Sequence, residues 1–478
     1  MESDNVERAV SMKIKIVNFG PIKEFEFDFS KKLIATYGDN NIGKSYAMQV
    51  VYLLFKRFFQ LSKEMGIYSY HAEIHTSINN RVLEVSENLW DLIREKNDEK
   101  ECVYQLTDLV FDYLSLGMIP ELLNSYSNTF ANFDNILKKN PHIYICLPNC
   151  TMDFRLNDEK ICGTIPDLTI NIKEKNADIE TTNYGSMELN LAKTYSMEDI
   201  KLEVVNKLGY VYANILFNIV YRVGQIFFLP ASRSGIYNGM SAFGAIVAEL
   251  AKNRSNITRK IEFPGITEPI SDYFIELSSI SNNKTNNILH DRKIKQCYDA
   301  IECNILNGEV IFDKETNELK YTPKEEKNVQ YSMSEVSSMV SEVSPIVAFL
   351  KYIIANREGM SPENRAILFI EEPEAHLHPN NQVKLMEIFT ELTNAGITLV
   401  MSSHSNYVFN KLNNLVLSGK LDYHIYQPIY LEKGAEGSIS KPMHIDECGA
   451  DDENFIDVSE ALYNEREQII QEHNEGTE

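Results

Sequence analysis

An α/β fold, with a parallel sheet and a large, mostly helical insertion, is predicted, and three stretches mark its sheet. The first is the apolar run Leu33-Ile34-Ala35, which leads into Gly38-Asp39-Asn40-Asn41-Ile42-Gly43-Lys44-Ser45 and then the helical segment YAMQVVYLLFKRFF. The second is Ile367 to Ile370, four apolar residues in a row that end in Glu371-Glu372. The third is GITLVMSS, residues 396–403, an apolar strand that ends at His404. Short, continuously apolar strands suit a sheet buried on both faces.

Taken in chain order, the N-terminus MESDNVERAV is acidic and lacks the basic and apolar regions of a signal peptide. Met12 to Phe29 then alternates: Ile14 and Ile16 with lysines, Phe25, Phe27 and Phe29 with acids, broken at Gly20-Pro21. That period of two predicts an antiparallel strand pair with one buried face. The glycine loop that follows has the pattern G-x-x-x-x-G-K-S between strand and helix. Its glycines let consecutive N–H groups point at one spot, and the helix N-terminus adds its positive dipole end. Lys44 is placed to reach the β- and γ-phosphates and Ser45 to hold Mg²⁺. The expected ligand is a nucleoside triphosphate.

Between about residues 60 and 199 the pattern becomes largely helical, as in RVLEVSENLWDLIREK, with short strands at IYICLPNCTMDFRLN and DLTINIKE. A helix over Met197–Arg222 returns to the strand QIFFLPASRSG. Polar linkers then separate a helix near Lys293–Ile305 from the hairpin GEVIFDKETNELKYTP, and a Ser-rich turn precedes the helix IVAFLKYIIANRE. Acids at the carboxyl end of the 367–370 strand suit a triphosphate site: Glu371 orients Mg²⁺ and Glu372 polarises the attacking water.

The 478 residues carry 69 acidic against 46 basic side chains, a formal charge of −23, which disfavours indiscriminate binding to nucleic-acid phosphates. The seven cysteines are scattered without zinc spacing and read as free thiols of a reducing cytoplasm. No apolar run approaches the roughly 18 residues of a membrane span, so no membrane partner is expected.

The order of phosphate loop, Ser-rich turn, acid pair and strand-plus-histidine resembles the ABC-type ATPases of the SMC/RecF/OLD group. In detail it is similar to the AAA-ATPase-like proteins of anti-phage systems such as PARIS, Septu and retron-linked systems. Asn40 stands at the Asn of that group's G-x-N-x-x-G-K-S/T. Glu371-Glu372-Pro373-Glu374 followed by His376-Leu377-His378-Pro379 matches its extended Walker B and D-loop, and Ser402-Ser403-His404-Ser405 its switch histidine. Pro230 to Gly235, PASRSG, matches a further segment, with Arg233 expected near the nucleotide or the dimer interface. Three departures stand out. The signature S-S-G appears as Ser337-Ser338-Met339, with a register toward Ser341 as the alternative; the first Walker B acid is Glu371 rather than Asp; and no Q-loop glutamine is evident.

The resemblance implies an ABC-type head, an antiparallel β-lobe plus a RecA-like parallel sheet, divided as follows. Residues 1–60 form the N-terminal lobe, 61–199 the insertion, 200–335 the return to the core and connector, and 336–478 the C-terminal lobe with its closing helix. It implies a homodimer or higher homo-oligomer sandwiching two ATPs, with Lys44, Ser45, Glu371, Glu372 and His404 facing the partner's signature serines. The segment after His404 has no E…D-x-D set of metal-binding acids, so no nuclease activity is expected in this chain. The function implied is an ATPase sensor and scaffold that controls a separate effector, a nuclease or toxin, in response to a phage protein or DNA. The alternative is a RecF/SMC-like clamp on duplex DNA.

Overall fold

The computed structural model describes residues 12–67, 76–174, 187–237, 239, 266–280, 291–316, 318–355, 366–451 and 463–470. Strands β1 (Lys13–Phe19) and β2 (Ile22–Asp28) form the antiparallel pair expected from their alternation, turning at Gly20-Pro21. Ile14, Ile16, Phe25 and Phe27 lie on the buried face. β3 (Leu33–Tyr37) leads through the glycine loop into α1 (Lys44–Ile67).

Residues 61–199 supply α2 (Thr76–Ile93), α3 (Glu99–Thr129) and α4 (Phe133–Leu137), then strands β4 (His142–Leu147), β5 (Cys150–Arg155) and β6 (Lys160–Thr164). Their strands do not fold apart from the lobe: β4 pairs with β1 and extends its sheet outward through β5 and β6. A parallel pair, β7 (Thr169–Lys173) and β8 (Glu188–Ala192), closes this region. α5 (Met197–Val223) returns the chain to β9 (Ile226–Leu229). Ser196 starts α5 with a capping box, accepting from the Asp199 N–H while the Asp199 carboxylate accepts from the Ser196 N–H.

Next come α6 (Glu268–Ser279), α7 (Arg292–Ile301), the hairpin β10 (Gly308–Asp313) and β11 (Glu318–Pro323), and β12 (Tyr331–Ser332). α8 (Ser338–Ala348) starts earlier than the sequence pattern predicts, because Ser337 caps it by accepting from the Val340 N–H. Then follow β13 (Ala366–Glu371), α9 (Pro379–Asn394), β14 (Ile397–Ser402), α10 (Asn406–Leu417), β15 (Tyr426–Lys433) and β16 (Ser438–Pro442). Most of the tail FIDVSEALYNE lies outside the described residues; 463–470 is helical.

The main sheet has eleven strands in the order β6-β5-β4-β1-β2-β16-β15-β3-β14-β13-β9. The strands β6-β5-β4-β1-β2 form the antiparallel lobe, β16 joins it by a parallel pairing with β2, and β15-β3-β14-β13-β9 is parallel throughout. This is the lobe-plus-parallel-sheet architecture of the ABC-type head that the sequence motifs imply. The parallel strands are buried on both faces. Ile34, Ile367, Phe369 and Val400 join the core beneath α1. Leu33, Ala35, Leu368, Ile370, Leu399 and Met401 join the opposite core with α7, α8, α9 and α10. Among the described residues no helix is long and apolar enough to cross a membrane.

Candidate nucleotide site

Four parallel strands end side by side, and each delivers one part of the site. In register, Thr36 of β3 lies beside Ser402 of β14, Ser402 beside Glu371 of β13, and Leu229 of β9 beside Ile370. The glycine loop, His404, the acid pair and the PASRSG segment therefore emerge from one edge of the sheet. The carboxyl ends of parallel strands are where such sheets bind ligands.

The loop leaves Asp39, Asn40 and Asn41 exposed, with Ile42 and Gly43 buried beneath. Gly38 (φ +131°) and Gly43 (φ +108°) hold backbone angles that side chains rarely adopt, and Asn41 is left-handed at φ +61°. A Cβ on Gly38 would stand 2.4 Å from the Leu431 carbonyl oxygen. Lys44 is buried and folds back over the loop, donating to the carbonyls of Gly38 (2.8 Å) and Asp39 (2.6 Å). Its Nζ lies 3.3 Å from His404 Nδ1. Burial lowers the Lys44 pKa to about 8, against the pull of Glu372, Asp39 and Glu374.

Glu371 is buried, and burial raises its pKa. Its Oε2 accepts from the Ala231 N–H at 3.1 Å, its Oε1 from Gln49 Nε2 at 3.4 Å, and the Ser45 hydroxyl hydrogen-bonds the same carboxylate. A buried carboxylate beside an exposed Ser hydroxyl fits Mg²⁺, which takes few protein oxygens and completes its shell with water and phosphate. Burying that charge without a counter-ion is costly, so the donor set favours a cation there.

Glu372 differs in every respect. Its side chain is 44% exposed and its backbone is left-handed at φ +42°. Its N–H donates to the Ser402 carbonyl at 3.1 Å. His404 Nε2 lies 3.7 Å from Glu372 Oε1, so the ring sits between Lys44 and the exposed acid. Burial, and next the Lys44 charge, lower the His404 pKa, which leaves the imidazole neutral near pH 7.

Lys44, Ser45, Glu371, Glu372 and His404 are thus brought together by one sheet edge. Ser337 and Ser338 are exposed at the start of α8, whereas Ser341 is buried and bonds the Ser338 carbonyl. The accessible pair is therefore the one the sequence motif names. At the position of the signature glycine, the Met339 sulfur accepts from Asn381 Nδ2 of α9 at 3.1 Å.

Arg233, expected near the nucleotide or the dimer interface, lies directly behind the acid pair and is completely buried. Its guanidinium donates to the main-chain carbonyls of Glu371 (2.7 Å), Glu372 (3.2 Å), Pro230 (3.1 Å) and Glu342 (3.1 Å). A fully buried arginine bonded to these four carbonyls holds the backbone of both acids in place.

Three further residues are given no role by the sequence reading. Gln49 could have been found from helical spacing, one turn after Ser45 on α1. Glu374, the last acid of the E-E-P-E run, is buried and accepts from Ser403 Oγ (2.7 Å) and the His404 N–H (2.8 Å). Glu342, buried in α8, has no local signal at all.

With this geometry in place, the family decides what the edge is for. A family profile described as an AAA ATPase domain matches residues 12–409. The chain belongs to that family. The matched span contains the phosphate loop, both acids and His404. None of the curated proteins matches the chain. Among solved structures, it is similar to an SMC head bound to the C-terminal winged-helix domain of ScpA, at 10% identity and a TM-score of 0.36, covering 91% of this chain and 98% of that one. It is also similar to the SMC head domain from Thermotoga maritima, at 8% identity and a TM-score of 0.35, covering 91% of this chain and 99% of the other. Both likenesses are too loose to carry a conclusion about this ATPase domain.

Proposed function

We propose that this chain is an ATP-driven switch of a cytoplasmic anti-phage system. Two copies close around two ATP molecules, hydrolysis reopens them, and the cycle controls a separate effector protein, a nuclease or toxin. The observation that carries this reading is the meeting of the loop lysine, a buried acid beside Ser45, an exposed acid and a neutral histidine. They meet at the ends of adjacent parallel strands.

Each residue then has one task. Loop residues 38–43 offer backbone N–H groups to the phosphates, and Lys44 exchanges its loop carbonyls for phosphate oxygens. Ser45 and Glu371 would hold Mg²⁺, which would supply positive charge beside the phosphates. Glu372, exposed where Glu371 is not, orients and polarises the attacking water, and His404 reports on the terminal phosphate from its place between Lys44 and Glu372. Ser337 and Ser338 face the nucleotide of the partner copy. ATP closes the pair only by as much as it prefers the closed state.

We take the effector to be a separate protein, as the resemblance to the anti-phage ATPases implies. This reading is favoured over a duplex-DNA clamp by charge. The lysines on the solvent face of β1 and β2 are each neutralised by a neighbour: Lys13 by Glu26 (3.5 Å), Lys15 by Glu24 (2.7 Å) and Lys23 by Glu436 (2.9 Å). The test is ATP turnover by wild type and Glu372→Gln, with and without linear duplex DNA. The expected result is slow turnover, lost in Glu372→Gln and little changed by DNA. Strong stimulation by DNA would replace the effector reading with the clamp, and turnover that survives Glu372→Gln would mean a different catalytic acid.

A further inference from the structure

We infer that Arg233 and Glu342 form a buried coupling through which the helix behind Ser337–Ser338 sets the position of the hydrolytic acid Glu372. The inference rests on the head-dimer reading above and adds to it how one nucleotide site would be informed of the other.

Glu372 has a left-handed backbone, at φ +42°. A left-handed backbone is unfavourable for a residue with a Cβ and persists only where the surroundings over-determine it. Three bonds hold it: its N–H donates to the Ser402 carbonyl, and its own carbonyl accepts from the Ala375 N–H (3.0 Å) and from Arg233 Nη2 (3.2 Å). Arg233 also holds the Glu371 carbonyl at 2.7 Å, so it grips both peptide units that aim the acids. The segment that carries it is itself bent, with Ser232 left-handed at φ +54°.

Arg233 is in turn held from α8. Its Nε donates to the Glu342 carbonyl at 3.1 Å and lies 3.6 Å from Glu342 Oε2. The other oxygen, Oε1, accepts from the Ser234 hydroxyl (2.6 Å) and N–H (3.2 Å). Both ionic side chains are essentially inaccessible, at 0% and 1% exposure. A buried ion pair is weak as a device for stability, since apolar replacements often serve as well. A geometric role accounts better for its bonds, which end on the backbone of the two acids. Glu342 lies one helical turn beyond Ser338, so any displacement of the exposed serines against a partner's nucleotide is carried by a rigid helix to Arg233. Neither residue touches substrate; both are positioning residues.

The test compares wild type, Glu342→Gln, Arg233→Lys and Glu372→Gln for kcat, KM, ATP affinity by fluorescent-analogue titration, and thermal melting. Glu342→Gln keeps the shape and the Ser234 contact but removes the charge opposite Arg233. Expected is a fall in kcat of about tenfold or more in both positioning variants, with ATP affinity within about threefold of wild type. Coupling through α8 also requires non-additivity: in a Ser338→Trp background, which blocks approach of the partner, Glu342→Gln should cost much less than it does alone. If either variant fails to fold, Ser234→Ala, which loosens Glu342 without leaving a buried charge unpaired, takes its place. Folded variants with wild-type kcat, a loss confined to KM, or effects that simply multiply would each overturn the coupling. If Glu372→Gln is inactive while Glu342→Gln is normal, only the coupling fails. If wild type does not hydrolyse ATP, the ATPase reading fails and the coupling with it.

Discussion

Raising the pH from 7 to 9 should weaken ATP binding about tenfold, and the reason lies in Lys44. Burial brings its pKa from 10.5 to about 8. At pH 7 about nine-tenths of such a lysine is charged and at pH 9 about one-tenth, whereas an ordinary lysine stays about 97% charged at pH 9. Phosphates favour the charged form, so affinity follows the charged fraction and binding at pH 9 takes up nearly one proton. His404 does not interfere, since its lowered pKa leaves it neutral across the window. Unfolding does not imitate the effect either. The folded-state pKa of Lys44 lies below the unfolded one, so the unfolded chain binds more protons between about pH 8 and 10.5, and this group makes the empty protein more stable as pH rises there. Calorimetric titration with a non-hydrolysable ATP analogue, in two buffers of different ionisation enthalpy, reads affinity and proton uptake together. An affinity that is flat from pH 7 to 9, with no buffer dependence at pH 9, would refute the argument.

Two substitutions probe the scaffold around that lysine. Gly38→Ala sets a Cβ 2.4 Å from the Leu431 carbonyl at φ +131°; it should cost about 2–3 kcal/mol in a denaturant titration and lower ATP affinity at least tenfold. An unchanged midpoint would mean that β15 yields to the loop. Glu374→Gln tests the buried acid beneath His404, whose pKa is raised by burial and whose Oε2 has no hydrogen-bond partner. A raised folded-state pKa gives stability below the unfolded value that is lost as pH rises through the folded one. Relative to wild type, Glu374→Gln should therefore gain melting temperature between pH 5 and pH 8; a relative loss over that range would contradict the burial argument.

The parallel core was legible because its strands are short apolar runs between polar breaks, each ending in a chemically marked residue. Ile367 to Glu371 is the plainest case. The antiparallel lobe was legible only in part. β1 and β2 alternate cleanly, but nothing in HIYICL at 142–147 says that it pairs with β1 across more than a hundred intervening residues. Strand pairing is a choice among partners, made by packing against α1 and α3. The start of α8 was missed because its first turn, Ser338-Met339-Val340-Ser341, reads as a Ser-rich loop. The Ser337 cap and the buried Val340 and Val343 make it helix instead.

At the site, the sequence singled out the residues at the strand ends, named Arg233 and Glu374 without their backbone contacts, and passed over Glu342 and Gln49. Lys44, Ser45, Glu371, Glu372 and His404 sit in short motifs because each must follow directly from the end of a strand. Arg233, Glu342 and Glu374 act at one remove, through backbone carbonyls and amides, and a bond to backbone leaves no pattern in side-chain identity. Arg233 shows the consequence. A conspicuous arginine in a short polar segment reads as a ligand for phosphate, since guanidinium is suited to it. Yet its hydrogen bonds go to carbonyls 230, 342, 371 and 372. What decides between the two roles is burial, and burial belongs to the whole fold. The left-handed Glu372 carries the same lesson. Its strain is invisible in E-E-P-E, but it sends the second carboxylate outward while the first turns in toward Ser45, so two chemically identical neighbours acquire different work.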